Sequence, residues 1–113
     1  MELNILQTIK TLLGIIDTAF DEDISVHINS AFMVLNQLGV GPDTVFSIVD
    51  GTETWSHFIT DVTTYQAVKS YVYLYVRILF DPPSSSFILD ALKNQKAEME
   101  WRLNVQVPIP PEA

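Results

Sequence analysis

The sequence has no cysteine, few cations and no long apolar run. Without cysteine, disulfide frameworks, thiolate metal sites and cysteine nucleophiles are excluded, which fits a reducing compartment. Six lysines and arginines against fourteen aspartates and glutamates give a net charge of -8, so the chain is poorly suited to binding nucleic-acid phosphates. The apolar run at residues 12–16 is too short for a signal peptide or a membrane span. We therefore expect one soluble, intracellular domain.

Catalytic and metal-binding patterns are also sparse. The two histidines, His27 and His57, have no cysteine or paired carboxylate motif beside them and predict no metal site. Ser56 precedes His57 directly, and neighbouring residues of a helix point in different directions, so these two do not form a catalytic pair. No glycine-rich phosphate loop is present, because Gly39 and Gly41 close a helix and do not join a strand to one. We expect neither an enzyme nor a cofactor.

What the sequence does have is helical periodicity, centred on residues 65–80. At 100° per residue, the polar side chains Gln66, Lys69, Ser70, Tyr73 and Arg77 fill an arc about 100° wide, and the rest of the circumference is apolar. Such a helix must be covered on at least two sides. Pro82 and Pro83 end it, and the three serines that follow are candidate caps for a second long helix that runs to about Leu103.

Shorter helices complete a predicted all-α fold, a small bundle of four to five helices. The first covers residues 3–13 and ends at Gly14. The second covers residues 24–38, and Asp21 or Asp23 is expected to cap its first amide groups. A helix of one to two turns then contains Trp55. We assign residues 1–104 to this helical domain.

Two stretches predict extended structure. Residues 45–49 are apolar and β-branched and indicate a short strand or extended segment. A lone strand must pair its backbone groups with something, for example the same segment of a neighbouring copy. Residues 105–113 contain three prolines and predict an extended tail. The aliphatic residues of this tail alternate, which fits either a frayed terminus or a segment that lies on a partner; we favour the partner.

Four apolar side chains lie away from the stripes that predict the core. Val26 and Met33 are on the polar face of the second helix, where they are either ordinary exposed residues or a subunit contact. Phe87 and Trp101 lie on the far side of the last helix, away from the main apolar stripe, and give a first sign of a second contact surface. Two interpretations of Trp101 remain. It either packs under the N-terminal helix or belongs to a second contact surface.

Several short motifs match a known family in their order and spacing. They are His27-Ile28-Asn29-Ser30, Gln37-Leu38-Gly39-Val40-Gly41-Pro42, Trp55, Val68-Lys69-Ser70-Tyr71-Val72-Tyr73, Arg77-Ile78-Leu79-Phe80-Asp81-Pro82-Pro83 and Trp101-Arg102-Leu103. In these motifs, from about residue 5 to 104, the sequence resembles the head-tail connector, or adaptor, proteins of tailed bacteriophages and prophages.

The resemblance implies a structural role in the virion neck, after assembly in the host cytoplasm. Such adaptors form a homo-oligomeric ring of about a dozen copies beneath the portal protein, extend the DNA channel and support the next neck or tail component. In similar proteins the C-terminal segment reaches along the portal. The resemblance gives that portal-binding role to the residues of the tail, namely Val105, Val107, Pro108, Ile109 and Pro110.

A ring interface joins two different surfaces of the subunit. For one side we predict the 45–49 segment together with Trp55, and for the other side Val26 and Met33. The subunit-interface residues predicted in full are Val26, Met33, Val45, Phe46, Ile48, Trp55 and Trp101. The acidic balance suits a channel through which DNA passes without specific binding. The alternative is a cytoplasmic helical interaction module that binds a partner through its tail and forms no ring.

Overall fold

One central helix organises the fold. The structure, a computed structural model, describes residues 4–42, 44, 46–49, 51–59 and 62–106. The described residues form five helices, α1 (Ile5–Leu13), α2 (Asp21–Gln37), α3 (Trp55–Phe58), α4 (Val62–Phe80) and α5 (Ser86–Gln106). α4 packs against the other four helices, as the apolar residues on most of its circumference require. The all-α prediction of four to five helices is confirmed.

Local sequence signals set most helix ends. The Asn4 side chain accepts a hydrogen bond from the Gln7 amide and opens α1, and Gly14 ends α1 with a φ of 78°. Ser85 is the serine that caps α5, since its hydroxyl accepts from the Ile88 amide at 3.4 Å. The predicted aspartate cap of α2 is wrong. Phe20 is the N-cap without a side-chain hydrogen bond, and the aspartates lie inside the first turn, where their charge still suits the helix dipole.

An aromatic cluster fills the core where α2, α3 and the segment 46–49 meet. Phe32 lies at its centre, with ring centroids 5.1 Å from Phe46, 4.7 Å from Phe58 and 6.3 Å from Trp55. Gly41 approaches the same cluster. Its φ is +92°, and a Cβ built there would lie 2.5 Å from the Phe58 ring, so only glycine fits at this position.

The segment 46–49 forms no strand. The Asn29 side chain takes the place of a partner strand, because its Oδ1 accepts from the Ile48 amide at 2.7 Å and its Nδ2 donates to the Ile48 carbonyl at 3.1 Å. The Val49 amide donates to Glu53 Oε2 at 2.7 Å. These three backbone groups are therefore satisfied within the subunit, without a strand from another copy.

The last helix passes the predicted domain boundary. α5 ends at Gln106, so Val105 is helical and not part of an extended tail. The other four predicted tail residues, Val107, Pro108, Ile109 and Pro110, lie outside the described residues. No helix in the described part of the chain is long and apolar enough to cross a bilayer.

Candidate assembly surfaces

Two residues of the surface predicted around Trp55 are internal. Trp55 is fully buried, and its Nε1 donates to Thr8 Oγ1 at 3.1 Å. Ile48 is buried as well, and Phe46 packs edge-to-face on Phe32 and Phe58. The prediction that Trp55 and Ile48 form one side of a subunit interface is therefore wrong, because the subunit's own core already covers their apolar surface. Phe46 is half-buried and Val49 is 87% exposed, so an interface role for the rest of this segment stays a prediction. Val45 lies outside the described residues.

The outer surface of α2 carries two exposed apolar residues. Val26 is 57% exposed and Met33 is 53% exposed. Their i,i+7 spacing puts them on one side of the helix, about 10.5 Å apart. Ser30 lies between them, and Glu22 and Asp23 are exposed one turn before Val26. We call these five residues the α2 face.

A second exposed apolar surface lies on α5. Phe87, Trp101 and Val105 are 82%, 66% and 59% exposed, and their spacing places them on the same side of the helix. We call these three residues the α5 face. Trp101 does not pack under α1, so the interpretation that made it a core residue is wrong. The α5 face points away from the stripe that contacts α4, where Leu103 is buried.

Polar contacts hold α5 on the rest of the fold. The Tyr71 hydroxyl donates to Glu100 Oε2 at 2.7 Å, and Lys96 Nζ donates to the same oxygen at 2.8 Å. Burial raises the pKa of Tyr71. Burial alone would also raise the pKa of Glu100, but the hydrogen bonds from Lys96 and Tyr71 outweigh it and hold this pKa below its usual value. At the far end, Asn104 Nδ2 donates to the Leu38 carbonyl at 3.0 Å and ties α5 to the end of α2.

A groove runs between α1 and α5 across one side of α4. Its volume is about 530 Å³, and it continues into a second hollow of about 310 Å³ along α5. The walls carry Leu12 from α1 and Leu92 and Met99 from α5. The floor is the polar arc of α4, including Lys69 and Ser70. The sequence reveals that arc, but it does not reveal that two other helices flank it.

The two histidines lie far apart in the chain and have different local roles. His57 Nδ1 accepts a hydrogen bond from the Thr54 amide at 3.0 Å, so this ring caps α3. The ring centroid of His27 lies 6.4 Å from that of Phe80. Among the described residues, no three His, Asp or Glu side chains come close enough together to hold a metal ion.

The described residues define a small all-α protein with exposed apolar faces on α2 and α5. The family model described as phage connector protein matches residues 5–108, which is nearly the whole chain. The chain therefore belongs to the phage connector protein family, and the resemblance found in the sequence is confirmed. Membership supports a structural role in the phage neck. No curated protein and no solved structure matches the chain.

Proposed function

We propose that this connector is a non-enzymatic subunit of a ring that joins the portal protein to the next neck or tail component and extends the DNA channel. The observation that supports this role most directly is the pair of exposed apolar faces on α2 and α5. A subunit of a closed ring needs different surfaces for its two neighbours and further surfaces for the components above and below it. A monomer of this size has no such need of two apolar faces.

The charge distribution supports passage of DNA without binding. Three cations are engaged by carboxylates, in the pairs Lys10–Asp21, Lys96–Glu100 and Arg102–Glu98. With a net charge of -8, the remaining carboxylates make the surface predominantly acidic. A ring of such subunits repels phosphates and lets DNA slide through the channel.

The end of α5 and the tail together form the proposed portal contact. Val105 is exposed in the last turn of α5, and Trp101 lies one turn earlier on the same side. The chain then continues into Val107, Pro108, Ile109 and Pro110. A proline-rich segment loses little conformational entropy when it binds in an extended form, so it is well suited to lie along a partner.

Light scattering behind a sizing column tests this function, with and without a portal ring from the same genome. We expect the portal peak to gain the mass of about a dozen subunits. A variant that ends at Gln106 is the matched control. It should keep its helical circular dichroism but lose association with the portal, because it retains every described helix.

Two outcomes would contradict the proposal. If the variant that ends at Gln106 bound the portal as well as the full chain does, the tail would not be the portal contact. If the full chain stayed monomeric and ignored the portal, the ring function would be wrong. The alternative of an interaction module that binds another partner through its tail would then replace it.

A further inference from the structure

We propose that the groove between α1 and α5 receives the α2 face of a second copy, with the incoming α2 antiparallel to α5. This inference rests on the proposed ring and assigns its subunit interface. The α2 face needs a partner surface, and Trp55 and Ile48, which the sequence suggested for the opposite side, are buried in the core. The groove supplies a surface that differs from the α2 face, as a head-to-tail ring requires.

The two surfaces lie on different sides of α4. The residues Val68, Val72 and Val76 are fully buried on the side of α4 that faces the core. Lys69 and Ser70 form part of the groove floor. At 100° per residue, the centre of the three valines and the centre of Lys69 and Ser70 are about 110° apart around the α4 axis. One copy can therefore present α2 to one neighbour while it receives α2 from the other.

The apolar residues of the two surfaces have the same spacing. Val26 and Met33 are seven residues apart on α2, and Leu92 and Met99 are seven residues apart on the α5 wall of the groove. Both pairs therefore span about 10.5 Å. When the helices run antiparallel, Val26 meets Met99 and Met33 meets Leu92. Each contact then covers an apolar side chain that water reaches in the isolated subunit.

The polar residues agree with the same register. Between these two contacts, the same antiparallel alignment places Ser30 opposite Gln95. Both side chains can form hydrogen bonds, and Gln95 lines the groove. Counting outwards pairs Asp23 with Arg102. Apolar residues thus meet apolar residues, a hydroxyl meets an amide, and an anion meets a cation, all from one alignment of two helices.

Charge favours the same orientation. Arg102 pairs with Glu98 at 2.6 Å, but its guanidinium has further donors for a second carboxylate. Lys69 lies over the Tyr65 ring, 4.9 Å from its centroid, and has no carboxylate partner among the described residues. The groove therefore has an excess positive charge near the end where the acidic first turn of the incoming α2 would lie. Opposite potentials on the two surfaces favour this register over the reversed orientation.

Disulfide trapping tests the register directly, because the natural chain has no cysteine. The variant Ser30→Cys/Gln95→Cys is assembled with the portal ring and oxidised. Since each copy would carry both halves of the cross-link, we expect a ladder of covalent oligomers beyond the dimer on a denaturing gel. Either single variant should give no ladder. The matched control Ser30→Cys/Lys93→Cys moves the second cysteine away from the groove and should give no ladder either.

Charge reversal provides a second and independent measurement. Asp23→Arg and Arg102→Asp should each raise the concentration required for assembly about tenfold, because each puts like charges together. The double variant should return it close to the natural value. Lys93→Asp is the matched control on α5, and it should leave assembly unchanged.

The outcomes separate this interface from the ring function. If the natural chain forms a ring on the portal but the Ser30/Gln95 pair gives no ladder, the interface is wrong and the ring function stands. The same holds if the cysteine at position 95 forms a disulfide with a cysteine of the portal, which would assign the groove to that protein. If the natural chain neither assembles nor binds the portal, the ring function and this interface are both wrong.

Discussion

Helices α2 and α5 both pack against α4, but different kinds of contact attach them. α2 buries a full apolar stripe, which includes Ile28, Phe32 and Leu35, against the rest of the core. Among the described residues of α5, only Leu103 is buried, and hydrogen bonds to Tyr71 and Leu38 add to its attachment. The comparison shows that different helices of a small chain can provide the core and the surface for partners. α2 is essential to the core, whereas α5 leaves one whole side available for partners.

The largest expected difference between these regions concerns two phenylalanines. Phe32→Ala should lower the free energy of unfolding by about 4 kcal/mol, because it leaves a cavity in the centre of the aromatic cluster. Phe87→Ala, on the exposed side of α5, is the matched control and should change it by less than about 0.5 kcal/mol. Urea unfolding followed by circular dichroism measures both. Equal losses for the two variants would refute the division between a core helix and a surface helix.

The next largest effect concerns the segment that packs on α2. Asn29→Ala should cost about 2 kcal/mol, because it removes both hydrogen bonds from the backbone of the buried Ile48. Asn94→Ala on the exposed part of α5 should be close to neutral. Hydrogen exchange of the Ile48 amide, measured by NMR, should accelerate in the Asn29 variant only. Unchanged protection would mean that another group holds this segment in place.

A smaller and pH-dependent effect is expected where α5 meets α4. Tyr71→Phe should cost about 1.5 kcal/mol at neutral pH, because it removes a hydrogen bond to a carboxylate. The pKa of Glu100 is lower in the folded protein than its usual value of 4.5, so its ionised form stabilises the fold above that pH. This contribution should decline as the pH falls below about 4.5 and vanish once Glu100 is protonated in the folded state.

Glu100→Gln provides the corresponding measurement. The free energies of unfolding of this variant and of the natural chain, both measured in urea, should differ most at neutral pH. The difference should disappear in acid. A difference that grew as the pH fell would contradict the direction of the pKa shift. Loss of the pH dependence in Glu100→Gln alone would place the effect at this carboxylate.

The smallest effect on stability is expected at Trp101. Because its side chain is 66% exposed, Trp101→Ala should change the free energy of unfolding by less than about 0.5 kcal/mol. Association with the portal should nevertheless decrease, since a large exposed aromatic residue is a common source of binding energy. Thermal unfolding and sizing-column light scattering separate the two effects. If Trp101→Ala lost several kcal/mol of stability, Trp101 would be a core residue and this prediction would be wrong.

The helices and their ends follow largely from the sequence. The periodicity of residues 65–80 and the Pro82-Pro83 break predict α4, its stop and the start of α5, because steric and hydrogen-bond limits act over a few neighbouring residues. The same local logic predicts the end of α1 at Gly14. It also marks the exposed positions on α2, since a helix with one polar face shows which side faces water.

Between α2 and α4, the sequence does not predict which residues are buried and which are exposed. α3 has only four residues, too few for a periodic pattern, so Trp55 has the same local signature in a core as on a surface. Asn29 pairs with a backbone that lies nineteen residues further along the chain. Such pairing depends on how the loop returns to α2, which local propensity does not encode.

The sequence by itself determined an acidic, cysteine-free helical chain with the motifs of a connector. It also determined that the helix of residues 65–80 has too much apolar surface to be covered from one side. Only the tertiary structure decided which apolar residues are buried in the subunit's own core. It buried Trp55 and Ile48 and left Val26, Met33 and Trp101 exposed. It also joined α1, α4 and α5 around one groove. The physical reason is that burial depends on contacts between distant segments, whereas helix formation depends on neighbours in the chain.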